Sequence, residues 1–264
     1  LLLAWPIFFA PVFGPVEPWF TPGELDAADS RYPSAASEPV LAVQATLLDD
    51  ALSSLEDGRA GVADLYFVGV AGDATEDAFR DDVEAAQRVM DERWGTAARS
   101  VVLVNNPRTL VAAPIATLTN LRDSLDEIGA AMDPDEDVAI VYVSTPGPPD
   151  GALELRIPPL ELVPITPALL RGAFDDAGIR YRIVVVSACH AGAFVDELAD
   201  DDTAVIVASS SGHGSSGCDR GSVATAFGEA FFQRGMAKAA GLAEAFDLAR
   251  AGVELDSLAD PDRA

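Results

Sequence analysis

The residue with the clearest chemical potential is Cys189, set in Arg-Tyr-Arg-Ile-Val-Val-Val-Ser-Ala-Cys-His-Ala-Gly over residues 180–192. A thiolate is a strong nucleophile, and a cysteine becomes one when a base takes its proton. That base is usually a histidine brought in from elsewhere in the chain. Small neighbours, Ala188, Ala191 and Gly192, leave room for a substrate. Free cysteine is also one of the most often buried residue types, so a packing role for Cys189 stands beside the chemical one. The sequence holds two histidines, His190 and His213, and one further cysteine, Cys218. His190 adjoins Cys189, and adjacent side chains at a strand end point apart, which makes it a poor base. His213 lies between Gly212 and Gly214 in the Ser- and Gly-rich run 209–218. A flexible loop could carry it to Cys189, although a solvated loop histidine is the plainer reading. No zinc or iron–sulfur spacing is present and no phosphate-cradling GxxxxGK[ST] loop occurs, so neither a metal nor a cofactor is expected.

The elements that would position Cys189 are legible from apolar patterning. Ile183 to Ser187 is a short run, apolar and β-branched until its small last residue, as suits a parallel strand covered on both faces. In open α/β sheets, chemistry collects at the carboxyl ends of such strands. From Asp64 the pattern alternates strand and helix. Strands are expected at Leu65–Val70, Val101–Val104, Val138–Val143, the run before Cys189, and Ala204–Ala208. Helices are expected at Val40–Leu55, Thr75–Trp94, Ile115–Met132 and Thr166–Ala177, then at Val223–Phe232 and Leu242–Ala251. Ala152–Ile157 alternates and reads as a short edge strand or a hairpin. This rhythm predicts an α/β fold with a mostly parallel sheet between helical layers. The loop after the third strand, Ser144-Thr145-Pro146-Gly147-Pro148-Pro149-Asp150-Gly151, should lie beside Cys189. Gly147 would let a backbone N–H approach an oxyanion there.

Composition bounds the partners. Forty-three acidic residues against 17 basic ones give a net charge of −26 over 264 residues, which repels nucleic acid and anionic lipid. Two cysteines make no disulfide framework. The chain begins at Leu1 rather than Met, so further residues are expected before it. Residues 1–20 form an apolar segment with Trp5 and Trp19, interrupted by Pro6, Pro11 and Pro15. Three readings stand open: the end of a membrane segment, a signal-peptide remnant, or an apolar arm on the domain. The first is preferred, which would attach the protein to a membrane of a bacterial envelope. Residues 21–60 read as a linker followed by a helix, and 61–264 as the main domain.

Several separated motifs carry a resemblance. Leu65-Tyr66-Phe67-Val68-Gly69-Val70-Ala71-Gly72, Asn105-Asn106-Pro107, Ser187-Ala188-Cys189 and Gly217-Cys218 resemble bacterial legumain-type cysteine peptidases from about Asp64 to about Phe232. The resemblance implies a caspase-like α/β/α three-layer sandwich and a peptide or protein substrate cut after Asn or Asp. In that family a His-Gly pair ends the third strand and Ser-Ala-Cys ends the fourth. By resemblance Cys189 is the nucleophile and Gly147 the glycine after the base. Glu229 and Ser215 match pocket positions, Arg80 is the basic counterpart, and Ser187 joins the substrate-binding set. An exposed helix charge is the alternative for Glu229 and Arg80. Cys218 matches a family cysteine with a structural role.

The base position holds Pro146, and this is a departure. Proline offers neither a proton acceptor nor an N–H. General-base assistance is worth about 10²–10⁴-fold in rate. A cysteine without help, at its free pKa of about 8.5, is a few per cent thiolate at neutral pH. His213 is the one substitute base the sequence offers. Two functions therefore follow: a peptidase with a weakened or missing dyad, or a non-catalytic pseudopeptidase that binds peptide or protein partners in the retained groove.

Overall fold

The computed structural model describes residues 31–148, 150–209 and 226–259, with main chain only from 252. Five strands build one sheet: β1 (Leu65–Ala71), β2 (Ser100–Val104), β3 (Val138–Ser144), β4 (Tyr181–Ser187) and β5 (Thr203–Val207). Their order is β2-β1-β3-β4-β5, and every pairing is parallel. The helices are α1 (Glu38–Ser53), α2 (Asp77–Trp94), α3 (Leu118–Ala131), α4 (Pro167–Asp176), α5 (Gly192–Leu198), α6 (Glu229–Met236) and α7 (Leu242–Ala259). The α6 segment is π-helical; just beyond it, the N–H of Ala237 reaches back five residues to the Phe232 carbonyl at 2.9 Å.

Side-chain alternation along the strands sorts two cores. On one face Tyr66, Val68 and Val70 of β1, Ala139, Val141 and Val143 of β3, and Val184 and Val186 of β4 meet α3, α4 and α5. Part of α1, through Leu48 and Leu52, packs on the same core. On the other face Phe67, Ile140, Tyr142 and Val185 meet Phe79, Val83, Ala86 and Met90 of α2 and the aromatic stretch of α6. Phe232 seals this second layer, 4.5 Å from the Tyr142 ring and edge-on to Phe67 at 6.3 Å. The layered α/β/α architecture with an all-parallel sheet is the caspase-like sandwich expected from the motifs.

Helix starts differ from the periodicity, for a common reason. The sequence places the α2 start at Thr75, yet the helix begins at Asp77. The Thr75 N–H is taken by the Asp73 carboxylate at 2.6 Å, and the Ala74 N–H by the Arg156 carbonyl at 2.9 Å. Likewise α3 begins at Leu118 rather than Ile115. Gln44 of α1 accepts from the Ile115 N–H at 2.8 Å, Asn105 accepts from Ala116 at 3.0 Å, and Thr117 caps Asn120 at 2.9 Å. Donors committed to loops outside the helix cannot join its ladder. The short α5 was not expected at all.

Ala152–Ile157 is not a strand of the sheet. It is one arm of a small hairpin, the other alternative expected, bridged antiparallel at Leu153 to Ile165 and at Ile157 to Leu160, and it straps the strand ends through Arg156 and Asp73. The expected helix from Val223 falls partly outside the described residues, which resume at 226. The apolar segment 1–20 lies wholly outside them. Among the described residues no helix is long and apolar enough to cross a membrane.

Candidate active site

The carboxyl ends of β3 and β4 define the site. Their register ends with Ser144 paired to Ser187, and the turns bearing Pro146 and Cys189 follow directly. The two turns touch: a Cβ added to Gly147 would fall far inside 3.0 Å of the Cys189 carbonyl oxygen, and 3.1 Å from its nitrogen. Only a residue without a side chain permits that approach. The Gly147–Cys189 juxtaposition expected from the motifs is thus present.

The turn bearing Pro146 is held from outside by the strap. Glu154 donates its N–H to the Pro146 carbonyl at 3.2 Å, and the Thr145 hydroxyl donates to the Glu154 carbonyl at 2.5 Å. The turn bearing Cys189 is held from β5. The Ser209 hydroxyl donates to the Ala188 carbonyl at 3.1 Å and accepts from the Ala191 N–H at 3.4 Å. Between them His190 adopts a left-handed conformation, φ 56°. That value is uncommon for a residue with a side chain and lets the chain reverse sharply from β4 into α5.

Cys189 is half-buried and disulfide-bonded. This corrects the expectation that two cysteines leave the sulfurs unbridged: close approach in the fold, which spacing does not reveal, decides pairing. A bridged sulfur is not a nucleophile until it is reduced. The second cysteine, Cys218, lies outside the described residues, as do His213 and Ser215, the substitute base and the pocket serine of the sequence reading.

The remaining expected residues scatter. Ser187 is fully buried. Glu229 opens α6 on the surface, its carboxylate 3.9 Å from Arg234. The guanidinium of Arg80 donates to Asp81 at 2.6 Å, to Asp77 at 3.0 Å and to Asn106 at 3.2 Å. Its charge is satisfied by its own helix and the loop after β2. No ion pair joins it to Glu229.

A residue missed by sequence reasoning sits behind the cleft. Asp82 of α2 is buried, and its Oδ2 accepts from the Tyr142 hydroxyl at 2.5 Å and from the Ser144 hydroxyl at 2.7 Å. Burial pushes its carboxyl up to about 7, against the pull of those two bonds, with a smaller push from Glu229. Tyr142, buried beside it, is driven well above the ordinary tyrosine value and so stays protonated. The available signal was the helical spacing of Asp82 with Phe79 and Ala86, which turns it inward.

A cavity of about 500 Å³ elsewhere is not this site. It opens at the amino ends of β4 and β5, where Arg171, Arg180 and Arg182 pair with Asp200, Asp202 and Asp175.

The sequence model of the Peptidase C13 family matches residues 126–259, from within α3 through both strand-end turns to the end of α7. The chain belongs to this family, the legumain family of cysteine peptidases. Pro146, Gly147, Cys189 and Glu229 fall inside the matched stretch, whereas Arg80 and Asp82 precede it. No curated protein matches the chain.

Proposed function

We propose that this C13-family protein takes peptide or protein segments into the cleft between the ends of β3 and β4 and cleaves Asn- or Asp-containing peptides weakly or not at all. One observation supports the reading: Gly147 packs on the Cys189 backbone, and the residue just before it in that turn is Pro146. A proline there accepts no proton, so the sulfur lacks the base that would sharpen it. Support for a retained peptide site comes from the two turns, which keep their contact and their outside supports.

The pseudopeptidase reading is favoured by a second observation, the disulfide at Cys189, which removes the thiol as well as the base. The two are separated by hydrolysis of an Asn-containing peptide under reducing conditions. Four proteins are compared: the unmodified chain, Pro146→His, Pro146→His with Cys189→Ala, and His213→Ala. A gain approaching 10²–10⁴-fold in Pro146→His that vanishes with Cys189→Ala supports a peptidase scaffold one residue short of activity, at roughly the worth of a general base. Robust turnover by the unmodified chain that disappears in His213→Ala refutes the reading and identifies a relocated base. No turnover in any protein supports the binding module.

A further inference from the structure

Asp82 has no part in the dyad logic, yet its position couples it to both sides of the cleft. It reaches from α2 across the second core and is 6% exposed. A single oxygen, Oδ2, accepts from Tyr142 and from Ser144. Ser144 is the last residue of β3, and the Thr145-Pro146-Gly147 turn follows it directly. Ser187, the last residue of β4 and two residues before Cys189, acts on the same phenol, pulling the Tyr142 value down against burial. From the far side Gly228 closes on the cluster. A Cβ there would fall far inside 3.0 Å of both Asp82 Oδ1 and the Tyr142 hydroxyl.

We propose that Asp82 is a positioning residue for this cleft. Through Ser144 it fixes where the Thr145–Gly147 turn lies over the Cys189 backbone, and through Tyr142 and Ser187 it fixes the end of β4 against that turn. This rests on the reading of the cleft as the peptide site. The strength of the tie depends on protonation. An ionised carboxylate holds both hydroxyls by charge-assisted bonds, which are roughly twice as strong as neutral ones. A protonated carboxyl holds them more weakly. Asp82 changes between these forms near neutrality, because burial lifts its carboxyl to about 7. The titratable groups facing it are Tyr142 from β3, which keeps its proton, and Glu229 from α6, which lies beside Arg234. On this face Phe67 and Ala71 of β1 and Val102 and Val104 of β2 are apolar.

The test reads Cys189 directly. The reduced protein is alkylated with iodoacetamide from about pH 5.5 to about pH 8.5, a window spanning the Asp82 and thiol titrations, and Cys189 labelling is followed by peptide mass spectrometry. The unmodified chain, Asp82→Asn and Ser144→Ala are compared as rate ratios, so that the thiol's own titration cancels. A change of about threefold or more in both ratios, centred near pH 7 against Asp82→Asn, is expected from the difference between charged and neutral hydrogen bonds. Flat ratios overturn the proposal. Ser144→Ala leaves the carboxyl in place and deletes its tie to the turn; losing that bond also raises the carboxyl's titration, so this ratio is read on the alkaline side, where the carboxylate is ionised in both proteins. A step against Asp82→Asn without one against Ser144→Ala therefore marks a charge felt through space, and also overturns it. Should Asp82→Asn fail to fold, the Ser144→Ala ratio decides alone. The readout needs neither peptide nor hydrolysis, so its failure leaves the peptide-site reading standing, and absent hydrolysis leaves this result intact.

Discussion

Asp82→Asn should reveal a stability penalty that the protein accepts at neutral pH. In the unfolded chain the carboxyl ionises at its ordinary value, 3.8, whereas in the fold it holds its proton up to about 7. Below 3.8 both states carry the proton and the full stabilising difference is present. As pH rises the unfolded state releases its proton freely while the folded state cannot, so stability falls until pH passes about 7. At about 1.4 kcal/mol per pH unit, the interval amounts to about 4 kcal/mol. Asparagine has nearly the same shape and does not titrate. Urea unfolding of both proteins, at steps from about pH 4 to about pH 8, isolates this term. Carboxylates that are held low in the fold, such as Asp64, Asp77 and Asp200, move equally in both proteins and cancel. The stability of the unmodified chain minus that of Asp82→Asn should decline by about 4 kcal/mol across the range and level off above neutrality. A difference that stays flat, or that rises with pH, would refute the argument. It would mean that the bonds from Tyr142 and Ser144 outweigh burial.

Gly147→Ala forces a methyl group into the Cys189 carbonyl, and the two turns must part. Overpacking of this kind costs about 1–3 kcal/mol, read as a lower urea midpoint at unchanged slope. At the opposite end of the sheet Asp64 is buried against Arg59 and Arg99, and the Arg59 bond holds its carboxyl below the ordinary range. Its stabilising effect is present above that range and lost as pH falls through the depressed value. Asp64→Asn should therefore be less stable than the unmodified chain at neutral pH, with the gap closing below about pH 4 in the same unfolding measurement.

The sequence by itself determined the parallel sheet, its five strands and the meeting of the β3 and β4 turns. Those features rest on local quantities. Apolar β-branched runs such as Ile183–Val186 mark strands buried on both faces, and a small residue such as Gly147 marks a close approach. That position 146 carries no proton acceptor was legible for the same reason, since it is a property of one side chain. What sequence could not supply were the features built by long-range pairing. Helix starts at Asp77 and Leu118 depend on Arg156 and Gln44, which are remote in sequence and claim the preceding donors. The state of the Cys189 sulfur depends on a partner brought close by folding. Asp82 looked like one more charge in a chain of net charge −26. Only the packing of α2 against β3 removes it from water and gives it two hydroxyl partners. Periodicity shows which way a residue faces, whereas the change in a carboxyl's proton affinity is set by the groups across the interface and the water they exclude.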